Sequence, residues 1–392
     1  MPCRGLRKGW SMAEVLVATG LIWVIYNLAL YPLVVCWLAR KHPAPAQGAV
    51  AQRPDRVAFL IAAYNEEAVI AEKLENALAL RCDGKPLRVY VVSDGSDDRT
   101  ADIVASFADR GVVGLHRAER RGKIAALNRA MRSIEEPLVV FSDANNFFEP
   151  EAVQILVDRL CADRGVGGVT GRKDVYENLD REASLGDGLY WRYESRIKEC
   201  EGAYFSINTA DGEILAIWTA LYRPVPEYII NDDTAITLEI LKQGYRVIYE
   251  PRARCREEAS IRLEDDLKVK IRMASGGFQS LRQYGAAILG VDGRFAWMFL
   301  SHKVLRWLMP IALLLVAAGT VVGLPQTWAW LLLGAQIGFY GVGAYGWMQR
   351  GRHPGRLVYV VMYFCLMNLA MLLGLKRYLD ASQQVTWSKA ER

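Results

Sequence analysis

Acidic and amide side chains follow four hydrophobic segments of this chain, at points where each segment is expected to end as a β-strand. They are Tyr64–Glu67, Ser93–Asp98, Ser142–Asn146 and Asn231–Asp233. Because α/β sheets bind ligands in the crevice beyond the carboxyl ends of their strands, we expect these side chains to lie close together. Carboxylates gathered there can hold a divalent cation and a phosphorylated ligand. The pattern therefore predicts an enzyme that uses an activated, diphosphate-linked donor.

The elements that must position these residues alternate along the chain. Between Arg56 and about Arg256, strands rich in β-branched residues alternate with helical segments, which is typical of a mostly parallel sheet flanked by helices. One domain of ~200 residues is within the usual range for a single core. The predicted helices are Ala68–Leu80, Ala101–Ala108, Lys123–Ser133, Pro150–Cys161 and Thr234–Lys242.

Apolar segments flank this α/β region on both sides. Hydrophobic residues make up 52% of the 392 residues, more than a soluble domain needs. A spanning helix takes about 20 apolar residues, so Met12–Leu38 is predicted to cross a membrane once. Ile261–Gly285 is amphipathic and basic, which indicates a helix on the membrane surface. Three further spans are predicted near Val304–Gly323, Trp328–Met348 and Leu357–Leu375.

Loop charges predict the orientation. The loop Leu324–Thr327 is uncharged, whereas Gln349–Arg356 carries three arginines, so the positive-inside rule places the second loop and the α/β domain in the cytoplasm. One N-terminal and three C-terminal spans would then put both termini outside, including the basic Arg4, Arg7 and Lys8. Either the large domain overrides these charges, or one span is re-entrant or interfacial.

Four regions follow from these patterns. We expect an N-terminal anchor and linker at residues 1–50, a cytoplasmic catalytic domain at 51–258, an interfacial amphipathic region at 259–300, and a C-terminal transmembrane region with a tail at 301–392.

Composition excludes two other classes. The net charge of +5 is small and dispersed, which argues against nucleic-acid binding. Seven cysteines are scattered without a CxxC pair, so neither a zinc site nor a disulfide framework is indicated and reduced thiols are expected.

Several candidate residues have local structural explanations as well as chemical ones. Asn65–Glu67 could be a helix N-cap, Asp94–Ser96 a turn, Lys123 part of a solvated basic turn, Asp233 a helix cap and Trp218 a core residue. The spacing of Asp143 and Asn145, at i and i+2 on an extended segment, is suited to binding Mg²⁺ or Mn²⁺ through two oxygens.

Five segments, in order and in register, resemble family 2 glycosyltransferases of the membrane-bound polysaccharide synthase kind, such as the cellulose, chitin, hyaluronan and poly-N-acetylglucosamine synthases. The segments are Ile61–Glu67, Val92–Asp98, Gly122–Asn128, Phe141–Asn145, and Asp232–Leu238 running on to Arg246. The resemblance covers the whole α/β region and implies a GT-A-like fold.

The resemblance also implies roles for individual residues. Asp233 would be the catalytic general base, and Asp143 with Asn145 would bind Mg²⁺ or Mn²⁺. The residues implied for the nucleotide-sugar are Ala63, Tyr64, Glu66, Asp94, Lys123 and Asp143, and those implied for the acceptor are Asp211, Gly212, Asp232, Trp218 and Arg272.

One departure from the family concerns processivity. Processive members carry Gln-x-x-Arg-Trp on an interfacial helix, where this chain has Val269–Met273, so Arg272 is present without the glutamine or the tryptophan. This puts long-chain processivity in doubt.

The function implied is transfer of a sugar from a nucleotide-sugar, with UDP expected, to a polysaccharide or glycolipid acceptor. The alternatives are a single-sugar transferase acting on a polyprenyl-phosphate or lipid-linked acceptor, an inactive scaffold, and a membrane transporter. The expected partners are the donor, the acceptor, the lipid bilayer, and export or polymerisation proteins. The expected location is the inner (plasma) membrane.

Overall fold

The computed structural model describes residues 10–44, 53–176, 184–258, 263–350 and 355–383. It divides into two units. One consists of Met1–Leu33 and Leu300–Leu373, and the other of Val34–Phe299 and Gly374–Arg392. The second unit contains the α/β domain. The predicted charges at Arg4, Arg7, Lys8 and Arg352 lie outside the described residues.

Ten strands form the described part of the α/β domain. They are β1 Val57–Ala63, β2 Arg81–Cys82, β3 Lys85–Pro86, β4 Arg88–Asp94, β5 Val113–Arg117, β6 Leu138–Asp143, β7 Asn146–Phe148, β8 Val166–Tyr176, β9 Leu215–Trp218 and β10 Arg246–Glu258.

Fourteen α-helices are found in the described residues. They are α1 Met12–Ile25, α2 Tyr31–Lys41, α3 Ile70–Ala79, α4 Thr100–Ser106, α5 Lys123–Ala130, α6 Ala152–Cys161, α7 Ser184–Tyr204, α8 Asp232–Lys242, α9 Leu263–Val291, α10 Gly293–Phe299, α11 Leu305–Trp307, α12 Met309–Val322, α13 Thr327–Met348 and α14 Arg356–Leu379. Each of the five predicted helices of the α/β domain is present, with ends that differ by up to three residues.

Eight strands form one sheet in the order β5-β4-β1-β6-β9-β8-β10-β7. The pairs from β5 to β6 are parallel, as is the pair of β8 and β10. Strand β9 is antiparallel to both of its neighbours, and β7 is antiparallel to β10. The sheet is therefore mostly parallel, as predicted, with one reversed strand at its centre.

The core lies between the sheet and its helices. The central strands β1 and β6 are buried along almost their whole length, and helices α3 and α6 bury one apolar face each, including Leu74 and Leu156. Strands buried on both faces have continuous hydrophobic sequences, which is why β1 shows no alternation. These buried strands fix the residues that follow them at one edge of the sheet.

The other unit is rich in apolar helix. A capping box at Ser11 and Glu14 starts α1, and the helix continues through a π-helical turn into α2. The helix Met12–Lys41 and the helix α14 are each long and apolar enough to cross a membrane. Gly293–Trp307 and α12 together would make a third, bent by 58°. By length and apolar composition, the described residues thus contain two or three candidate membrane spans.

Of the four spans predicted from the sequence, two or three correspond to candidate spans in the described part of the chain. The predicted span Val304–Gly323 is broken near Leu308, and α12 has 14 residues, which is about 21 Å of helix and too short for a bilayer core of ~30 Å. Helix α13 has 22 residues, enough to cross a bilayer core, but it is not among the candidate spans by length and composition.

The expectation that no cysteines are paired is corrected for two of the seven. Cys36 of α2 and Cys200 of α7 form a disulfide with a Cα–Cα distance of 4.9 Å. A spacing of 164 residues in sequence gave no signal of this pair. Of the other cysteines in the described residues, Cys82, Cys161 and Cys255 are buried free thiols.

Candidate active site

Asp94 is the last residue of β4 and is buried, with both carboxylate oxygens bonded to one loop. The Arg121 N–H donates to Oδ1 at 2.9 Å and the Gly122 N–H donates to Oδ2 at 2.8 Å. Bonds from backbone N–H groups to a carboxylate are charge-assisted and strong. Asp94 therefore anchors the loop that precedes α5 to the end of strand β4.

Gly95 allows the loop before α5 to pack closely against the turn after β4. Its φ is +73°, and a Cβ there would lie 2.8 Å from the backbone nitrogen of Arg120. Only glycine satisfies both conditions. The turn after β4 is thus built for close packing of two backbones.

The loop after β1 is joined to the loop after β4. The Asn65 N–H donates to Ser96 Oγ at 3.1 Å, its side-chain amide exchanges two hydrogen bonds with Asp97, and the Glu66 N–H donates to Thr100 Oγ1 at 2.8 Å. Asn65 has φ of +53°, which asparagine tolerates. These side chains connect two loops, and helix α3 begins later, at Ile70, so the N-cap interpretation of Asn65–Glu67 does not describe this segment.

A planar stack lies at the same edge. The Arg120 guanidinium carbon is 3.6 Å from the centroid of the Tyr64 ring. Ala63, which ends β1, is buried and pairs with Ser93 on β4. Tyrosine and arginine planes of this kind are suited to contact with a nucleobase.

Lys123 joins two of the predicted functional motifs. It is the first residue of α5, after Gly122, and its ammonium lies 2.7 Å from Asp143 Oδ1 and 3.2 Å from Asp232 Oδ2. Burial lowers the pKa of Lys123, but these two carboxylates outweigh burial and raise the pKa well above its ordinary value. The lysine is therefore a permanent cation between the end of β6 and the start of α8, and it is not a solvated turn residue.

Asp233 lies in the first turn of α8, half-buried. Its Oδ1 accepts a hydrogen bond from the Thr234 N–H at 2.6 Å. Burial raises the pKa of Asp233 to about 7, and the neighbouring Asp232 carboxylate adds to the rise. A carboxylate with a pKa near neutrality is suited to accept a proton at physiological pH.

The segment before β9 reaches the same place. A Cβ on Gly212 would lie 3.5 Å from Asp232 Oδ2. The buried Asp211 carboxylate is 2.5 Å from the Lys198 ammonium, and the Asp211 N–H donates to Thr170 Oγ1 at 2.9 Å. Asp211 therefore fixes the segment, and Gly212 is the residue next to the motif of α8.

Arg272 of α9 is influenced by the charges of these carboxylates. Burial lowers the pKa of Arg272, while the charges of Asp232, Asp143 and Asp233 oppose that shift. Arg272 is therefore close enough to these carboxylates to feel their charge, although the glutamine and tryptophan of the family motif are missing.

Three charged residues at the site were not predicted from the sequence. The Asn145 side-chain N–H donates to Glu257 Oε1 at 3.0 Å, and Lys173 lies 2.9 Å from Glu257 Oε2 and 2.6 Å from Glu213 Oε1. Burial raises the pKa of Glu213, but Lys173 outweighs burial and lowers it. A chain of buried and partly buried charges thus extends from the turn after β6 to the segment before β9.

Trp218 does not lie with the other predicted acceptor residues. Strand β9 is antiparallel to β6, and Trp218 pairs with Leu138 at the start of β6 whereas Asp143 ends that strand. The ring packs against the hydrophobic core and its Nε1–H donates to the Val166 carbonyl at 3.3 Å. The core interpretation of Trp218 is therefore the one that fits the structure.

A second correction concerns Asn231–Asp233. These residues do not end a strand; Asn231 precedes α8 and makes no side-chain capping bond to it. Only three of the four acidic segments follow strands. The fourth is brought to the site by a helix start.

The turn after β6 was tested for its fit to a divalent cation. Asp143 supplies a carboxylate, and the amide nitrogen of Asn145 is engaged with Glu257, which leaves its oxygen as the ligand atom. In the described residues, no three His, Cys, Asp or Glu side chains converge on a cation by themselves. Mg²⁺ is commonly bound by one or two protein oxygens together with substrate phosphates and water. The turn fits a cation held jointly with a diphosphate.

Comparison with known families agrees with this geometry. Residues 58–215 match the family model described as Glycosyl transferase family 2. The matched part of the chain is thus similar to family 2 glycosyltransferase domains, and it contains Asp94, Lys123, Asp143 and Gly212.

The chain is also similar in sequence to two staphylococcal polysaccharide synthases. The chain is 27% identical over 232 residues to the poly-β-1,6-N-acetyl-D-glucosamine synthase of Staphylococcus aureus (strain COL), covering 57% of this chain and 55% of that protein. It is 25% identical over 236 residues to the synthase of the same name from Staphylococcus epidermidis, covering 59% and 56%. The chain thus spans about half the length of the curated relatives it matches.

A solved structure has the same fold over nearly the whole chain. A mannosyltransferase from Pyrobaculum calidifontis, in complex with GDP-Man and Mn²⁺, superimposes with a TM-score of 0.69 at 24% identity. The match covers 93% of this chain and 99% of that one. The GT-A-like fold is confirmed by this likeness.

Proposed function

We propose that the chain is a membrane-bound, inverting glycosyltransferase that moves a sugar from a nucleotide-sugar to a growing polysaccharide. The observation that carries this is the position of Lys123, whose ammonium joins Asp143 and Asp232 at the edge where three acid-bearing loops meet. The names of the staphylococcal synthases support a polysaccharide acceptor.

The donor would bind across the loops after β1 and β4. The Tyr64–Arg120 stack suits the base, and Glu66 and Asp94 lie on the two loops that frame it. Lys123 supplies a fixed positive charge for the diphosphate. We assign UDP as the expected nucleotide, and the GDP-Man in the Pyrobaculum enzyme makes GDP the nucleotide to compare.

Asp143 and Asn145 would hold a divalent cation, Mg²⁺ or Mn²⁺, whose chemistry is to neutralise the charge of the leaving diphosphate. Asp233 would take the proton of the acceptor hydroxyl as its oxygen bonds to the anomeric carbon. In the same step the bond from that carbon to the diphosphate oxygen breaks, and the nucleoside diphosphate leaves. Gly212, which lies beside Asp233, and Arg272, which is influenced by its charge, would bind the acceptor.

A second candidate is a single-sugar transferase acting on a lipid-linked acceptor. The observation that favours it is Met273, which is 41% exposed at the position where processive relatives carry tryptophan. Without that ring, a long glycan has one contact fewer with the enzyme after each transfer.

Both candidates are tested by one experiment on the full chain in detergent or membranes. A panel of labelled UDP- and GDP-sugars is offered with Mn²⁺ or Mg²⁺, and label is followed into lipid and polymer fractions. Label in polymer supports the synthase, and label only in lipid supports the single-sugar transferase. No nucleotide release from any donor would contradict both and favour a scaffold.

We further propose that the α/β domain faces the cytoplasm at the inner membrane, because the loop after α13 carries Arg350 and the loop after α12 is uncharged. In a chain lacking its native cysteines, Arg350→Cys should resist an impermeant thiol reagent in intact cells, whereas Gln326→Cys should react. The reverse labelling would contradict this orientation.

A further inference from the structure

Lys73 is a buried amine that none of the proposed steps uses. It lies on α3, on the face that also buries Ile70, Leu74 and Ala77, and its side chain has no exposed surface. Burying a lysine is costly unless its ammonium is well bonded. Its contacts therefore indicate what the residue is for.

The Lys73 ammonium is bonded to both sides of one turn. Nζ donates to Ser142 Oγ at 2.8 Å and also to the carbonyl oxygen of Asn146. Ser142 is the last but one residue of β6, and Asn146 is the first residue of β7. Between these two contacts lie Asp143 and Asn145, the two residues that fit a cation.

Two aromatic rings hold the ammonium in place. Nζ is 5.0 Å from the centroid of Phe59 and 4.9 Å from the centroid of Phe148, and the two rings meet edge to face. Cation–π contacts strengthen when they are desolvated. The two rings thus hold the Lys73 side chain in position beside the turn.

We propose that Lys73 is a positioning residue for the divalent cation: by bonding both ends of the turn from Ser142 to Asn146, it sets the separation of the Asp143 and Asn145 oxygens. This inference rests on the proposed function, in which that turn binds a cation. Partners that orient metal ligands typically affect metal affinity about 10- to 100-fold. Burial also lowers the pKa of Lys73 to about 7, but an amine donates hydrogen bonds whether or not it is charged.

Helix α3 offers a matched control one turn further on. The Asn76 side chain accepts from the Phe148 N–H at 3.0 Å and donates to the Phe148 carbonyl at 2.9 Å. It connects the same helix to the same strand β7, but beyond the turn. A residue that only stabilises this packing should behave like Asn76.

The experiment measures Mn²⁺ binding to the full-length protein in detergent with saturating UDP, from the loss of the free Mn²⁺ electron paramagnetic resonance signal. Lys73→Met should weaken Mn²⁺ binding about 10- to 100-fold and leave metal-free UDP affinity unchanged. Asn76→Leu should lower the melting temperature but bind Mn²⁺ like wild type. Equal Mn²⁺ affinity in Lys73→Met and wild type, or an equal loss in Asn76→Leu, would overturn the positioning role.

Two further outcomes are decisive. If Lys73→Met does not fold, Ser142→Ala removes one of the two bonds while keeping the lysine, and wild-type Mn²⁺ affinity in that variant would overturn the inference. If wild type itself binds no Mn²⁺ with UDP, the cation assignment in the proposed function fails, and the role of Lys73 fails with it. Loss confined to Lys73→Met and Ser142→Ala supports both.

Discussion

Asp233 packs against Gly212, so that a Cβ added to the glycine would lie 3.3 Å from the Asp233 Cβ. A residue from the segment before β9 is thus brought beside a residue in the first turn of α8. Because glycine presents no side chain, position 212 contributes only backbone to the space beside Asp233. This contact makes the segment before β9 part of the same site as the proposed base.

Asp233→Asn removes the basicity of the side chain but keeps its shape and the oxygen that accepts from Thr234. If Asp233 is the general base, glycosyl transfer should fall by ~10² to 10⁴ while nucleotide binding and protein abundance stay near wild type. The measurement is transfer rate beside UDP affinity. An active Asp233→Asn with an inactive Asp232→Asn would shift the base by one residue, and activity in both would contradict base-assisted inversion.

The pH dependence of the reaction should report the same residue. A base acts when deprotonated, and the pKa of Asp233 is raised to about 7, so kcat/KM should rise with pH through that region. Burial is the larger cause and the Asp232 charge the second, so Asp232→Asn should lower the pKa of Asp233 and move the acid limb to lower pH. An acid limb that stays in place would show that another group controls it.

Gly95→Ala should weaken donor binding and stability by more than its backbone strain alone would, because the added Cβ also meets the Arg120 backbone. At Gly84 φ is +72° and nothing lies near a Cβ, whereas at Gly95 φ is +73° and the Arg120 backbone is in the way. Gly84→Ala should therefore cost about 1–2 kcal/mol from its backbone conformation only. Gly95→Ala should lower the melting temperature further and also weaken UDP binding, since the loop held by Asp94 must move. Equal effects of the two variants would contradict the role of this close approach.

Asn145→Asp should weaken cation binding despite adding a carboxylate. The Asn145 amide donates a hydrogen bond to the Glu257 carboxylate at 3.0 Å. In the variant, the carboxylate at position 145 would repel the Glu257 carboxylate instead. Glu257→Gln in the same chain should restore binding, because an amide can donate to the new carboxylate. A fully active Asn145→Asp single variant would show that Glu257 does not constrain this position.

The redox state of Cys36 and Cys200 in the cell should show whether the α/β domain lies in the cytoplasm. Disulfides are rare in the reducing cytoplasm, so a cytoplasmic domain should carry both as neighbouring thiols in the cell and form the bond after purification in air. Alkylation in acid-quenched cells followed by mass spectrometry measures this directly. A disulfide already present in quenched cells would contradict the proposed orientation.

The residues found from the sequence share a property that a linear pattern can reveal. Asp94 and Asp143 each end a continuous hydrophobic strand, so strand direction alone brings them to one edge. The sequence did not reveal that β9 runs antiparallel to β6. Trp218 was therefore predicted at the site, but it lies beside the start of β6, at the opposite end from Asp143.

Residues that reach the site from long-range pairing could not be predicted. Glu257 lies near the end of β10, a strand of 13 residues whose second half is a segment of scattered charges. Lys73 did leave a signal: it is a lysine on the apolar face of an amphipathic helix, where burial demands a partner. Its partners, however, depend on how the turn after β6 packs on α3.

The way in which Asp94 holds its loop has a consequence for engineering. Its two bonds go to main-chain N–H groups, which every residue except proline provides, so the identity of the Arg121 side chain is not needed to keep Lys123 in place. Arg121 and Arg120 can therefore be randomised without detaching the loop. Arg120, stacked on Tyr64, is the position where such a library would be expected to change nucleotide preference.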